Sequence, residues 1–151
     1  MTAFEPREAA FALSPQQRSQ WLVGLPEARL ELEITGELEL TRLQERLAAL
    51  SACHEALRLR VRPEPGLQVP LQVVEDAAPE ALRIEVLSPN RVTLHLPALA
   101  ADRGTLLRLA RALGSASAPV ADEDAMTYIQ YSAWLQDLQA DEDAEHGRRF
   151  W

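Results

Sequence analysis

Few residues in this sequence carry reactive chemistry near neutral pH: one cysteine, Cys53, and three histidines, His54, His95 and His146. An imidazole can take or give a proton under physiological conditions, and a thiolate can attack a carbonyl when a neighbouring cation or base lowers its pKa. Cys53 has no second thiol and no basic cluster aimed at it, which excludes an internal disulfide and predicts an inert, packed cysteine. The histidines are too scattered along the chain to show a zinc-ligand spacing. Carboxylates alternate in Asp141-Glu142-Asp143-Ala144-Glu145-His146-Gly147 as they do in calcium loops, but the sixth position is not glycine and the closing glutamate is absent. That run predicts a solvated helix end. His95 is the one residue placed to act as a base. It lies in Val92-Thr93-Leu94-His95-Leu96, on the face opposite Val92, Leu94 and Leu96. Its alternative reading is a hydrogen-bonded strand histidine.

The elements that must position these groups alternate between two periodicities, the mark of a mixed fold. Ser14-Pro15-Gln16-Gln17 has the form of a capping box with proline at the first helical position, predicting a helix to about Leu25. Ala28, Leu30, Leu32 and Ile34 alternate with Arg29, Glu31 and Glu33, which predicts a strand ended by Gly36. Leu40, Leu43, Leu47 and Leu50 recur at helical spacing over about 39–52. Further strands are predicted at Leu57/Leu59/Val61, Leu67/Val69/Leu71/Val73, Leu82/Ile84/Val86 and Val92/Leu94/Leu96, several sharing one sheet. Leu106, Leu109, Ala110 and Leu113 predict a helix ended by Gly114. Tyr128, Tyr131, Leu135 and Leu138 predict a last helix, with Asp122, Glu123 and Asp124 flanking its positive end. The expected fold class is an α/β, α+β sandwich lobe with a mixed sheet flanked by helices.

Composition narrows the function classes. At 151 residues and 47% hydrophobic content the chain suits one globular domain. Its formal charge of −8 opposes phosphate backbones and anionic lipid, so neither nucleic acid nor membrane is an expected partner. No basic segment followed by a long apolar stretch opens the chain, and no apolar run is long enough to span a bilayer, which leads to a cytoplasmic expectation.

Three motifs in order resemble the condensation domains of nonribosomal peptide synthetases, members of the chloramphenicol acetyltransferase-like fold. Leu13-Ser14-Pro15-Gln16-Gln17-Arg18-Ser19-Gln20-Trp21-Leu22 is similar to the family's opening signature. Gly36-Glu37-Leu38-Glu39, the helix of Leu43 to Leu50, and His54-Glu55-Ala56-Leu57-Arg58 resemble its Gly-x-Leu-Asp turn, Ala/Leu-rich helix and Arg-His-Glu-x-Leu-Arg stretch, with Cys53 in place of the leading arginine. Tyr131-Ser132-Ala133-Trp134-Leu135 and Phe150-Trp151 resemble its Tyr-x-x-Trp helix and Tyr-Trp pair. The resemblance implies that residues 1–151 form the amino-terminal lobe, with the second lobe and its side of the substrate tunnel absent from this sequence. It also suggests that the sequence is a fragment of a larger synthetase.

Where the family reads His-His-x-x-x-Asp-Gly, this sequence reads Pro97-Ala98-Leu99-Ala100-Ala101-Asp102-Arg103. Both histidines are replaced, by Pro97 and Ala98; the aspartate remains as Asp102, and Arg103 stands for the glycine. The family's second histidine orients or deprotonates the acceptor amine that attacks a carrier-bound thioester, a task that needs a titratable nitrogen. Ala98 has none. The resemblance therefore implies no catalytic residue at this motif. It implies structural roles for Asp102, paired with Arg58, and for His54 and Glu55. Breaking a partly buried Asp102–Arg58 pair would cost roughly 3 to 5 kcal/mol.

The expected function is a non-catalytic pseudo-condensation or interface domain that docks adenylation, carrier or tailoring domains. The alternative is an active acyltransferase forming an amide or ester bond through His95 and the missing lobe, and a third is a free-standing adaptor. No cofactor is expected on the chain, because a phosphopantetheine arm would belong to a carrier partner.

Overall fold

Local signals in the sequence start and stop most of the elements. The computed structural model describes residues 9–24, 26–122 and 124–140. After a short strand β1 (Ala10–Ala12), Ser14 caps helix α1 (Pro15–Val23) through its hydroxyl, which accepts from the Gln17 N–H, while the Gln17 side chain accepts from the Ser14 N–H. The capping box is therefore complete, and Gly24, at φ 75°, closes the helix in a left-handed conformation that a side chain would disfavour. The 28–34 alternation becomes β2 (Glu27–Glu33). The leucine periodicity becomes α2 (Leu40–Cys53), followed by a 3-10 turn (Glu55–Arg58) and β3 (Leu59–Arg62).

The remaining elements are β4 (Leu71–Val74), β5 (Arg83–Ser88), β6 (Arg91–Pro97), a 3-10 turn (Ala98–Ala100), α3 (Arg103–Gly114) and α4 (Tyr128–Ala140). Two expectations shift locally. Leu57 lies in the 3-10 turn rather than in a strand, and Leu67 and Val69 lie in the turn region that follows Gly66, at φ 87°, so pairing begins only beyond Pro70.

The helix-flanked α/β lobe expected from the sequence is present, and its strands fall into two antiparallel sheets where one mixed sheet was expected. One has the order β1-β4-β3 and the other β2-β6-β5. Short connections such as Pro89-Asn90 between β5 and β6 turn the chain straight back, and only antiparallel pairing accommodates such a turn.

Strand β6 is the centre of its sheet and is buried from Val92 to Leu96. Its Leu94 and Leu96 join Leu47 and Leu50 of α2, Leu57, Leu82, Ala101, and Leu106, Leu109 and Leu113 of α3 in one core. Each buried leucine contributes about 1.5 to 3 kcal/mol of transfer free energy. Both helices thus cover the even-numbered face of β6, and His95 is left on the other.

Candidate functional site

The degenerate motif sits where a strand hands over to a helix. Strand β6 ends at Pro97, the 3-10 turn carries Ala98 to Ala100, and Asp102 caps α3. Ala98 is buried, and its N–H donates to the Pro26 carbonyl at 3.3 Å, which pins the turn against the entry to β2.

A buried polar network holds this turn. Gln17 and Gln72 are both almost fully buried, on α1 and β4. The Gln17 Nε2 donates to Gln72 Oε1 at 2.9 Å and to the Leu99 carbonyl at 3.1 Å, and Gln72 Nε2 donates to the Ala12 carbonyl at 2.8 Å. Ser14 Oγ shares a 2.9 Å hydrogen bond with the Tyr128 hydroxyl, and Ser132 Oγ donates to the Ala12 carbonyl at 3.3 Å. Burial pushes the Tyr128 phenol above its ordinary pKa, partly offset by the Ser14 bond, so it remains a neutral hydroxyl. These contacts join α1, α4, β1 and β4 to the turn. None of them requires a charge.

Two cavities flank the turn. One of about 90 Å³ is lined by Gln17, Trp21, Arg60, Gln72 and Pro97 to Ala100 among others. The second, about 220 Å³, is bounded by Gln16, Gln20, Leu99 to Asp102, Tyr128 and Tyr131. The ionisable groups on these walls are a guanidinium, two phenols and Asp102. A guanidinium cannot act as a base at neutral pH. Asp102 is a poor one, because hydrogen bonds from the Thr105 N–H at 2.7 Å and the Thr105 hydroxyl at 2.9 Å hold its carboxyl below the usual range.

The expected Asp102–Arg58 pair is not formed. Arg58 donates through Nε to the Ser51 carbonyl at 3.0 Å and through a terminal nitrogen to the Glu75 carbonyl at 2.9 Å, tying the end of α2 to the segment after β4. Asp102 is exposed and occupied at the start of α3. The physical reason is that the cap satisfies Asp102 locally, while the carbonyls at the C-terminal end of α2 attract the guanidinium. Arg103 is exposed as the first residue of α3. Glu55 accepts from the Ile129 N–H at 3.3 Å and anchors the first turn of α4, and His54 is an exposed residue between α2 and the 3-10 turn. Glu123, the acidic run 141–147, His146 and Phe150-Trp151 lie outside the described residues.

His95 is 2% exposed and lies outside the apolar core cluster that α2 and α3 form on the other face of β6. Its Nδ1 lies 3.2 Å from a Glu27 carboxylate oxygen and its Nε2 lies 2.9 Å from one of Glu85, so both ring nitrogens face carboxylates. Arg83 pairs with Glu27 at 2.6 Å, and this bond, followed by the one from His95, lowers the Glu27 pKa to about 2. Sequence reasoning placed His95 on the correct face and missed Glu27, Glu85 and Arg83 around it. The alternation of acids and bases along β2 and β5 was the available signal, but it could be used only once the register was known.

Helix α4 reverses the usual arrangement of a surface helix. Ser132 is buried and Gln136 donates to the Leu13 carbonyl at 3.1 Å, while Tyr131, Trp134 and Leu138 point outward. Trp134 is 50% exposed, and its ring lies 6.0 Å from that of Tyr131. Trp21, Leu22 and Val23 at the end of α1 are also exposed.

This architecture is that of a condensation-like fold. Solved structures of similar fold include domains of nonribosomal peptide synthetases. The X-domain from teicoplanin biosynthesis, solved in complex with OxyB, superposes with a TM-score of 0.69 at 20% identity, over 94% of this chain and 41% of that one. The EpoB nonribosomal peptide synthetase cyclization-docking bidomain from Sorangium cellulosum gives a TM-score of 0.74 at 18% identity, over 96% of this chain and 38% of that one. The nonribosomal peptide synthetase FmoA3 gives 0.65 at 22%, over 89% of this chain and 18% of that one. The chain thus spans less than half the length of these structures. No protein-family model matches the sequence, and no curated protein matches it significantly. Among the described residues, no helix is long and apolar enough to cross a membrane.

Proposed function

We propose that this lobe is a non-catalytic docking domain of a nonribosomal peptide synthetase, and that its partner is a tailoring enzyme acting on the carrier-bound peptide. The observation that carries this reading is the motif turn itself, in which the position of the family's base is a buried methyl group, Ala98, and the retained aspartate is a helix cap. The X-domain neighbour, solved with OxyB, supports a tailoring partner. The exposed Tyr131, Trp134 and Leu138 supply large apolar groups of the kind that anchor interfaces. Any phosphopantetheine in such an assembly belongs to the carrier, and the chain's own residues call for no cofactor.

The competing reading is an acyltransferase that forms an amide or ester bond using His95 and a second lobe. A general base must present a free nitrogen to the acceptor amine, whereas both nitrogens of His95 face carboxylates. The deciding experiment offers donor- and acceptor-loaded carriers to the protein in its synthetase context and, in parallel, measures binding of purified tailoring, adenylation and carrier domains. The expected result is no condensation product together with binding of the tailoring enzyme. Product formation that disappears in His95→Ala would establish the enzymatic reading instead, and preferential binding of an adenylation or carrier domain would reassign the partner.

A further inference from the structure

His95 occupies an unusual position for a buried histidine. It lies in the middle of β6, beside Arg29 of β2 on one flank and Arg83 of β5 on the other. Glu27 and Glu85 are its diagonal neighbours on those same strands, since Glu27 pairs with Pro97 and Glu85 with Thr93. Diagonal neighbours in an antiparallel sheet are within reach of long side chains. The His95 side chain is 3% exposed while that of its partner Glu85 is 56% exposed, so the pair joins a buried ring to a carboxylate that reaches solvent.

We propose that His95 is a proton-operated staple of the β2-β6-β5 sheet, fastening both outer strands to the centre strand when its ring is protonated and releasing one of them when the ring is neutral. The argument is one of donors and acceptors. Ionised carboxylates only accept hydrogen bonds, and an imidazolium is the one form of the ring with an N–H on both sides. A neutral ring has one donor and one lone pair. Whichever tautomer it adopts, one carboxylate then faces a lone pair at 3.2 or 2.9 Å, a repulsive contact.

The charged groups around the ring favour release at Glu85. From β2 the ring meets Glu27, with Arg29 and Glu31 on the same face; from β5 it meets Glu85 and Arg83; Arg91 is the charged neighbour on its own strand. Glu27 is held on three sides, by Arg83 at 2.6 Å, His95 at 3.2 Å and Arg29 at 3.4 Å. Among the described residues, no cation other than His95 pairs with Glu85. The neutral ring therefore keeps its N–H toward Glu27, and edge strand β5 loses its side-chain tie to β6, keeping the Arg83–Glu27 bridge to β2.

Two measurements on the full chain test this. Ring-nitrogen NMR of His95, assigned with His95→Gln, is followed from pH 5 to 8.5, the span over which imidazoles change charge. In parallel, melting temperatures of the wild type and Glu85→Gln are compared across the same range. The expected result is a ring protonated on both nitrogens at the acidic end, with the wild type melting about 2 to 4 °C above Glu85→Gln there and the gap closing or reversing as pH rises. A gap independent of pH, or a His95 ring whose signals do not change over the range, overturns the proposal. Glu85 is more than half exposed, so the variant keeps the core intact.

Discussion

Gln17 and Gln72, which are 55 residues apart in the chain, share a 2.9 Å side-chain hydrogen bond and are both almost fully buried. Each amide spends its remaining capacity on backbone: Gln17 on the Ser14 N–H and the Leu99 carbonyl, Gln72 on the Ala12 carbonyl. Removing Gln17 leaves the buried Gln72 Oε1 without its donor, and removing Gln72 takes one of two acceptors from Gln17 Nε2; a buried polar atom left unpaired costs about 1 to 3 kcal/mol. Gln72→Leu is expected to lower the melting temperature by roughly 2 to 4 °C for each kcal/mol lost, and Gln17→Leu by more because it also removes the side-chain half of the capping box. Thermal unfolding followed by circular dichroism reads both; an unchanged melting temperature in either variant would remove the network from any structural role.

Asp102→Ala is expected to destabilise the protein by about 0.5 to 2 kcal/mol, the cost of losing a helix cap. A broken buried ion pair would cost roughly 3 to 5 kcal/mol. Asp102→Asn, which can still accept from the Thr105 N–H, should recover most of the loss, and denaturant unfolding of the two variants distinguishes a cap from a charge partner.

Ala98→His restores the family's residue in name only. The adjoining cavity of about 90 Å³ is walled by Gln17, Gln72 and Pro97, and the two glutamine amides are already committed to the hydrogen bonds of the turn. No gain of condensation activity is expected in the carrier assay, because a ring alone does not rebuild a site that positions the acceptor amine. Product formation by this variant would show that the rest of the catalytic apparatus had been kept.

Glu27 is one carboxylate on which stability in acid depends. Its folded-state pKa is depressed to about 2 from an ordinary value of 4.5, chiefly by Arg83 and then by His95. A depressed carboxylate pKa contributes stability that is complete above the unfolded value and is lost as pH falls through the folded one. Between pH 4.5 and 2 the wild type should therefore lose stability that Glu27→Gln has already forfeited at neutral pH. Urea midpoints measured across that interval should converge, and parallel curves would contradict the assignment.

Trp134→Ser and Tyr131→Ser should change stability by no more than about 0.5 kcal/mol, because both rings are largely outside the core. If α4 is the docking face, the same substitutions weaken binding of the tailoring partner at least tenfold, as truncated aromatic anchors do. Isothermal titration with unaltered affinity would place the interface elsewhere.

The elements set by short-range chemistry were legible in the sequence. The Ser14-Gln17 capping box, the β2 alternation and the leucine spacing of α2 and α3 depend on neighbours within about one helical turn, and each is found where it was expected. The strand at Ala10–Ala12 was not legible, because three residues cannot display a period. The same limit explains Leu67 and Val69, whose alternation resembles a strand but has no partner across a turn opened by Gly66.

By itself the sequence determined that a strand ends and a helix begins around a motif with no histidine, and that His95 turns away from Leu94 and Leu96. Only the tertiary structure decided what these residues touch. Register across β2, β6 and β5 set Glu27 and Glu85 against His95, and the approach of β4 to α1 set Gln72 against Gln17. It also gave Arg58 to backbone carbonyls and Asp102 to a helix end. A side chain's period reports which face it takes, whereas its partner is chosen by strand pairing and helix packing, which bring together residues remote in the chain.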